Sequence, residues 1–294
     1  MEKILITGGT GLVGQKLTKL LTKKGFEVAI LTRTPENENE FEWDISKKYI
    51  DEKAFENVSY IIHLAGAGIA DKRWTDERKQ IIINSRVESA NLLFDKVKQL
   101  GIPLKKFISA SATGFYGAIT SEKIFTEKDV ATTDFLGTVC KKWENAAHQF
   151  KKLEIPVAIL RTGIVLSEKG GALEKMKTPI ISPLGSGEQY IPWIHINDLC
   201  NLYINAIKET SFIGIYNAAA PDYQTSKTFS KALAKSVDRF YLPIAVPNFL
   251  MKLIFGEMAK ILLEGSRVSS EKVLKTNFNF QFPNLKSALH NLFK

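Results

Sequence analysis

A glycine-rich turn near the N-terminus is the feature that most constrains the fold. Residues 4–17 read ILITGGTGLVGQKL, in which Gly8, Gly11 and Gly14 are spaced three residues apart. The apolar run ILIT before the turn predicts a buried strand, and the residues after it have the spacing of an amphipathic helix. A second apolar run, VAILT, follows at 28–32. A strand, a tight turn, a helix and another strand in so short a stretch predict a βαβ unit.

Further short apolar runs alternate with segments of helical periodicity. These runs are YIIHLAG at 60–66, KFISAS at 106–111, VAILRTGIVL at 157–166 and IYNAAA at 215–220. Helices are predicted over 76–100 and 134–153, and a short third strand in FEWD. Continuous apolar strands separated by helices indicate a parallel sheet covered on both faces. The expected fold class is therefore α/β, with a Rossmann-like doubly wound parallel sheet.

A looser pattern after residue 166 predicts a second, smaller lobe. Residues 170–193 are rich in Gly and Pro, and from about 225 the pattern is mostly helical, with FNFQF at 278–282 as one late strand. We expect a Rossmann domain and a small, mainly helical C-terminal lobe on the substrate side. The expected boundaries are 1–166 plus 194–221 for the domain, and 167–193 plus 222–294 for the lobe.

Each glycine of the turn has its own role in binding a dinucleotide. One permits the sharp turn, one lets the backbone approach a pyrophosphate, and one lets the helix pack closely on the strand. The N–H groups near residues 10–13 then point at the phosphates from the positive end of the helix. The predicted cofactor contacts in the turn and in the HLAGA segment are Gly8, Thr10, Gly11, Leu12, Val13, Gly14, Leu64, Ala65 and Gly66.

Arg33, in LTRTP at the end of the second strand, indicates which dinucleotide binds. An acidic side chain there would accept hydrogen bonds from the ribose of NAD, whereas Arg33 offers donors suited to a 2′-phosphate. NADP is therefore expected in preference to NAD, and the alternative is that Arg33 is a solvated loop residue. Asp44 is placed to accept from the adenine amino group, with Ile45 beside the ring. A cap or turn role is the alternative for Asp44.

Charge and composition argue against several other classes of protein. The 40 Lys and Arg exceed the 31 Asp and Glu by nine, but no basic tail or nucleic-acid motif accompanies them, so no nucleic-acid partner is expected. Cys140 and Cys200 lie in no Cys/His cluster, which predicts neither a disulfide framework nor a metal site. The apolar segment 246–265 contains charged residues, so no membrane span is expected. With no secretory pattern, a cytoplasmic protein with a small-molecule substrate is expected.

The longer motifs resemble the extended short-chain dehydrogenase/reductase superfamily, whose fingerprint is T-G-x-x-G-x-x-G. Within it, the chain resembles the NAD(P)-dependent epimerase-like family with a C-terminal domain of unknown function. The motifs that carry this resemblance are AGAGIADKRWT (65–75), SASATGFYG (109–117), CKKWENAA (140–147), RTGIVLSEKGGALEKM (161–176), GSGEQYIPWIHINDL (185–199) and FGEMAKILLEGSRV (255–268). The resemblance implies NADP binding and activity as an atypical oxidoreductase or nucleotide-sugar epimerase, through transient hydride transfer.

The catalytic pair of this superfamily is absent from the helix that should carry it. In the superfamily a Tyr and a Lys four residues apart share one helix face, and the Lys lowers the pKa of the Tyr for proton transfer. Alignment on Glu144 puts Leu136 at the Tyr position and Cys140 at the Lys position. The alternative function is therefore a non-catalytic NADP-binding redox sensor or regulatory protein.

Ser111, in ISASATGFYG, is the candidate catalytic residue. An ungapped match places Ala112 where the superfamily has the hydroxyl that polarises the substrate carbonyl, and Ser111 and Thr113 flank it. A small shift of the strand end would bring the Ser111 hydroxyl to the nicotinamide. The alternative is a serine that caps the backbone.

Other polar residues near the predicted site have weaker claims to catalysis. Glu144 is expected to be a carboxylate on the helix surface, with an acid/base role as the alternative. His195 is expected to be mainly structural, with a general-base role as the alternative. Residues that end the sixth strand are expected to border the nicotinamide or the substrate, because ligands bind at that edge of such sheets. These are Arg161, Thr162 and Gly163.

Overall fold

An eight-stranded sheet forms the centre of the protein in the computed structural model, which describes residues 2–294. The strands in chain order are β1 (Lys3–Thr7), β2 (Glu27–Thr32), β3 (Glu40–Asp44), β4 (Tyr49–Ile50), β5 (Val58–His63), β6 (Lys106–Ala112), β7 (Ile124–Phe125), β8 (Val157–Thr162), β9 (Ile164–Leu166), β10 (Ile180–Ile181), β11 (Trp193–His195), β12 (Gly214–Ala218), β13 (Phe240–Tyr241) and β14 (Arg267–Val268). The helices are α1 (Leu12–Lys23), α2 (Asp76–Leu100), α3 (Phe135–His148), α4 (Ala172–Met176), α5 (Ile196–Lys208), α6 (Ser226–Ser236), α7 (Asn248–Phe255), α8 (Lys260–Leu263), α9 (Glu271–Leu274) and α10 (Leu285–Phe293).

The order of strands across the sheet is β12-β8-β6-β5-β1-β2-β3-β4. Every neighbouring pair is parallel except β3 and β4, which are antiparallel. The chain leaves β1 toward one edge of the sheet and resumes at β5 on the other side of β1. Ligands bind at such a change of direction, at the carboxyl ends of the strands. The prediction of a Rossmann-like, doubly wound α/β fold is confirmed.

Helices cover both faces of this sheet, as its continuous apolar strands require. On one face, α1 and α5 bury Leu17 and Leu199 against β1, β2 and β5. On the other face, α2 and α3 bury Leu93 and Ala147 against the same strands and β6. The sheet is therefore inaccessible to a ligand except at the ends of its strands.

The long helix α2 has the bounds that its sequence predicts. Thr75 precedes it, and the Thr75 hydroxyl accepts a hydrogen bond of 3.1 Å from the N–H of Arg78. The helix ends at Gly101, whose φ of 60° is the left-handed conformation that glycine adopts readily. The helix predicted over 134–153 is shorter, since α3 ends at His148 and a 3-10 turn follows.

Two predicted strands differ in the structure. The apolar run 157–166 is broken at Gly163, where a Cβ would lie 2.6 Å from the carbonyl oxygen of Pro192. The run therefore forms β8 in the main sheet and β9, which pairs with β11. FNFQF at 278–282 forms no strand, because the N–H groups of Gln281 and Phe282 donate to the carboxylate of Asp198 at 2.8 and 3.0 Å instead.

The C-terminal part of the chain has an apolar core of its own. Leu173 and Trp193, from the predicted first segment of the lobe, pack with Phe229 of α6 and Leu289 of α10. The division of the chain into a domain and a lobe at the boundaries given above remains a prediction. Within residues 2–294, no helix is both long and apolar enough to cross a membrane.

Candidate functional site

The glycine turn lies between β1 and α1, at the carboxyl edge of the sheet. A Cβ on Gly14 would overlap the carbonyl oxygen of Gly8, so the first turn of α1 packs directly on the turn backbone. Gly8 has a φ of 69°, and a Cβ there would lie 3.0 Å from the backbone nitrogen of Ala65. The absence of side chains at these positions therefore keeps the turn tight and close to the HLAGA segment.

The N-terminal end of α1 is open. Gly11 is its N-cap residue, and no side chain among residues 2–294 caps the helix. The N–H of Gly11 donates to the carbonyl oxygen of Gly8 at 3.0 Å, and the side chain of Gln15 donates to the carbonyl oxygen of Thr10 at 2.8 Å. The remaining N–H groups of the first turn, with the positive end of the helix dipole, are suited to bind an anion. Leu12 and Val13, at this end, are partly exposed.

The hydroxyl of Thr7 ties the HLAGA segment to the end of β1. It accepts a hydrogen bond of 3.2 Å from the N–H of Ala65, and its oxygen lies 2.8 Å from Nδ1 of His63. The N–H of Leu64 donates to the carbonyl oxygen of Thr7 at 3.1 Å. His63 is fully buried, and burial lowers the pKa of its imidazole to about 4. Neutral His63 therefore helps to fix the segment that carries three of the predicted cofactor contacts.

The residues predicted to read the adenosine end lie at the ends of β2 and β3. Arg33 directly follows β2 and is exposed, and no acidic residue among 2–294 forms an ion pair with it. The carboxylate of Asp44 accepts from the N–H and hydroxyl of Ser46 at 2.9 and 2.6 Å, and these bonds lower its pKa. These bonds are those of a turn residue, which is the alternative to adenine binding given above for Asp44. Ile45 lines a groove of about 740 Å³ with residues of α2 and α3.

Ser111 belongs to a buried hydrogen-bond network rather than to an open pocket. Its hydroxyl donates to Oε1 of Glu144 at 2.7 Å, and Ser111 is 3% exposed. Arg161 donates to both oxygens of Glu144, from Nε and Nη2, at 2.8 Å each. A catalytic role for Ser111 remains a prediction, and it would require the hydroxyl to turn away from Glu144.

The expectation that Glu144 lies on the helix surface is wrong. Glu144 is 4% exposed and faces β8 from α3, because Arg161 supplies the charge that a buried carboxylate needs. Burial by itself lowers the pKa of Arg161, but its bonds to Glu144 outweigh burial and raise it. The network continues from Nη1 of Arg161 to the hydroxyl of Tyr116 at 2.9 Å, and from Tyr116 to Oδ1 of Asn217 at 2.6 Å. Burial raises the pKa of Tyr116 to about 12.

Leu136 and Cys140, which occupy the positions of the missing pair, pack against a 3-10 turn at Thr113–Tyr116. A Cβ on Gly114 of this turn would lie 3.4 Å from Cβ of Leu136 and 3.9 Å from Sγ of Cys140. Burial raises the pKa of the Cys140 thiol to about 12. Neither side chain can therefore donate or accept a proton at neutral pH in the way that a Tyr and Lys pair does.

His195 has a structural environment. Its Nδ1 accepts a hydrogen bond of 3.1 Å from the N–H of Asn197 at the start of α5, and its ring lies 3.8 Å from that of Phe282. It is 1% exposed, and burial lowers its pKa to about 4. These contacts favour the structural role expected from the sequence, since a general base must reach its substrate.

Arg86 of α2 is a residue near the site that the sequence analysis did not single out. Its Nη1 donates to the carbonyl oxygens of Ala67 and Ile82 at 3.0 and 2.9 Å, and its Cζ lies 4.9 Å from the centre of the Trp143 ring. A Cβ on Gly66 would lie 3.0 Å from Cζ of Arg86. Burial lowers the pKa of Arg86. The sequence feature that could have pointed to Arg86 is its position, since an arginine lies in the middle of a helix predicted to cover the sheet.

Comparison with known protein families agrees with this geometry. Residues 4–219 match the model of the NAD dependent epimerase/dehydratase family, and residues 246–292 match a domain of unknown function, DUF1731. An epimerase family protein of Staphylococcus aureus is 36% identical over 306 aligned positions, which cover 100% of both chains. One from Staphylococcus saprophyticus is 34% identical over 300 positions, covering 99% of each chain.

Solved structures show the same architecture. The human epimerase family protein SDR39U1, crystallised with NADPH, has a TM-score of 0.88 and 28% identity, and the match covers 99% of this chain and 98% of the human one. A nucleoside-diphosphate sugar epimerase from Corynebacterium glutamicum has a TM-score of 0.81 and 28% identity, covering 99% of this chain and 58% of that one. The resemblance seen in the sequence motifs is confirmed: the chain belongs to the NAD dependent epimerase/dehydratase family and carries a C-terminal DUF1731 domain.

Proposed function

We propose that the protein binds NADP and acts as an oxidoreductase or nucleotide-sugar epimerase on a small carbonyl or carbinol substrate. The bound cofactor would supply the hydride chemistry, which no protein side chain provides. The chain's own part is to bind the dinucleotide, to orient the nicotinamide and to exclude water. Membership of the family and the position of the glycine turn at the carboxyl edge of the sheet support this proposal.

The glycine turn fits a dinucleotide pyrophosphate. The space that a Cβ would fill at Gly8 and Gly14 is occupied by backbone, so the turn is held against the first N–H groups of α1. These N–H groups would donate to the phosphates, and Gly11 would permit their close approach. The HLAGA segment, held by Thr7, would lie beside the cofactor through Leu64, Ala65 and Gly66.

The exposed position of Arg33 is the main observation in favour of NADP. Arg33 is an exposed guanidinium at the end of β2, where the ribose of the adenosine half is read, and it has no acidic partner among residues 2–294. A 2′-phosphate would give it two charge-assisted hydrogen bonds, whereas the ribose hydroxyls of NAD would offer it less. The human protein with the same fold was crystallised with NADPH, which supports this assignment.

A fluorescence titration with NADPH and NADH tests the choice of cofactor. The unmutated protein should bind NADPH more tightly, and Arg33→Asp should weaken NADPH binding by about 1.5 to 3 kcal/mol. Arg33→Asp should leave NADH binding unchanged or improve it, because a carboxylate accepts from ribose hydroxyls. The control is Arg239→Asp, which removes an exposed arginine of the C-terminal part. Equal affinities of the unmutated protein for the two cofactors would contradict the proposal.

A second candidate function is a non-catalytic NADP-binding sensor or regulator, and the environment of Leu136 and Cys140 favours it. An enzyme of this family without its usual proton donor needs another group, for which Ser111 is our candidate. Purified protein with stoichiometric NADPH can be screened with aldehydes, ketones and nucleotide sugars for NADPH oxidation or epimer formation. Turnover that is lost in Ser111→Ala supports the enzyme. Tight NADPH binding without turnover across the panel supports the sensor.

A further inference from the structure

The guanidinium of Arg86 has one side, formed by Nε and Nη2, without a hydrogen-bond partner among residues 2–294. Its Nη1 is used by the carbonyl oxygens of Ala67 and Ile82, but its Nε and Nη2 donate to no group among residues 2–294. No acidic residue in this part of the chain pairs with it, although burial lowers its pKa and so penalises its charge. A half-buried cation that keeps two parallel N–H groups unused is suited to bind a carboxylate side-on.

A second arginine makes the same region more positive. Arg78, two turns earlier on α2, donates from Nη2 to the carbonyl oxygen of Gly68 at 2.6 Å, and its buried Nε has no partner among residues 2–294. Asp71, more than half exposed, is its acidic neighbour at 3.8 Å. Burial, and to a smaller extent the charge of Arg78, lowers the pKa of Arg86. Arg78 and Arg86 therefore both donate from α2 to adjacent carbonyl oxygens, those of Gly68 and Ala67.

Arg86 lies between the HLAGA segment and α3, the helix that carries the positions of the missing pair. It contacts Gly66, a predicted cofactor residue, and its Cζ lies 4.9 Å from the ring centre of Trp143, which follows Cys140 by three residues on α3. Cys140 occupies the position of the missing lysine. Ala65 packs on Gly8 of the glycine turn, whereas the next residue packs on Arg86. Neighbouring residues of the HLAGA segment therefore contact the glycine turn and Arg86.

We propose that Arg86 binds the carboxylate of the substrate, and that the substrate is a carbonyl or carbinol compound bearing this group near its reacting carbon. The proposal rests on the proposed function, which supplies the position of the nicotinamide. The cofactor phosphates are the other source of an oxyanion. The contact of Arg86 with Trp143 of α3, the helix of the missing pair, favours the substrate.

Acetate, with its neutral isostere acetamide, provides a probe that needs no knowledge of the full substrate. Each is titrated into the protein at constant ionic strength, with and without NADPH, and the melting temperature and the NADPH fluorescence are followed. Acetate should raise the melting temperature and change the fluorescence of the complex in a saturable way, and acetamide should do neither. Arg86→Gln should weaken the response to acetate at least about tenfold. Arg239→Gln should not change it.

Circular dichroism checks that Arg86→Gln folds, and Arg86→Lys gives a second variant that keeps the charge but loses the paired donors. Arg86→Lys should bind acetate more weakly than the unmutated protein. The proposal is overturned by an absent acetate response in the unmutated protein, or by an undiminished response in both variants. It is also overturned if Arg86→Gln weakens NADPH binding and leaves the acetate response intact, which would assign Arg86 to the cofactor phosphates. If NADPH does not bind but acetate still stabilises the unmutated protein through Arg86, the proposed function fails and the anion site stands.

Discussion

Arg161 and Glu144 form a bidentate ion pair inside the protein, with Nε and Nη2 of the arginine each 2.8 Å from a carboxylate oxygen. The two side chains are 2% and 5% exposed. The pair joins α3 to the end of β8, and its neighbours Ser111 and Tyr116 satisfy further lone pairs and donors. Loss of the ion pair would therefore weaken the packing of α3 on the sheet, next to the residues predicted to border the nicotinamide.

We expect Glu144→Gln to destabilise the protein strongly, because it leaves the guanidinium of Arg161 buried without a counter-charge. The free energy of unfolding in urea should fall by about 3 to 5 kcal/mol. The double variant Glu144→Leu with Arg161→Met should cost less than Glu144→Gln, because it leaves no buried charge unpaired.

The pair Lys275–Glu271 on the surface is the matched control. Its atoms are 3.7 Å apart, and both side chains are 77% exposed. Lys275→Gln should change the unfolding free energy by less than about 1 kcal/mol. Equal losses for Glu144→Gln and Lys275→Gln would contradict a stabilising role for the buried pair.

We expect Gly14→Ala to abolish NADPH binding. The new methyl group would overlap the carbonyl oxygen of Gly8, so α1 would have to move away from the turn and its N–H groups from the phosphates. Gly25→Ala is the control, since Gly25 has a φ of 84° but no atom within 4 Å of the added Cβ. It should cost about 1 to 2 kcal/mol of stability, because an L-residue is strained in this conformation, and leave NADPH affinity unchanged. Fluorescence titration and urea unfolding of both variants check this, and unchanged NADPH affinity in Gly14→Ala would remove the turn from the cofactor site.

Much of the sheet and the position of the glycine turn could be predicted because the signals are local. The apolar runs predict β1, β2 and β5, the helical pattern that ends at Gly101 predicts α2, and the glycine spacing predicts the turn. Each of these depends on residues within a few positions of one another.

The burial of Glu144 could not be predicted in this way. Its partner Arg161 is 17 residues away in sequence and on a different element, and a glutamate on a helix is normally solvated. FNFQF has the alternation of a strand, but Asp198, over 80 residues earlier, accepts from its backbone N–H groups and replaces strand pairing. The contacts of Arg86 could not be predicted for the same reason, since its neighbours Gly66 and Trp143 come from distant segments of the chain.

We expect stability to fall as the pH is lowered from about 6.5 to about 4, in part because of His63. The pKa of His63 is lowered from 6.5 to about 4 by burial, so between these values the unfolded chain binds a proton that the folded protein does not. Protons then favour unfolding, and the contribution is on the order of 3 kcal/mol over this window. Urea unfolding at a series of pH values measures it.

His63→Asn should show a shallower loss of unfolding free energy between pH 6.5 and 4 than the unmutated protein, whatever its stability at pH 7. His290→Asn, at an exposed position of α10, is the control and should keep the full pH dependence. Parallel profiles for His63→Asn and the unmutated protein would show that His63 is not buried in its neutral form.

We expect both cysteines to resist alkylation in the native protein. Cys140 and Cys200 are 4% and 0% exposed, and burial raises the pKa of each thiol to about 12. At pH 8 a thiol with this pKa is ionised in only about one molecule in 10⁴, and the thiolate is the reactive form. Iodoacetamide, followed by mass spectrometry, should modify neither cysteine in buffer and both in urea. Lys141→Cys, which places an exposed thiol beside Cys140 on α3, should react readily under native conditions. Rapid native labelling of Cys140 itself would show that α3 opens at the position of the missing lysine, and a redox role for that thiol would then have to be considered.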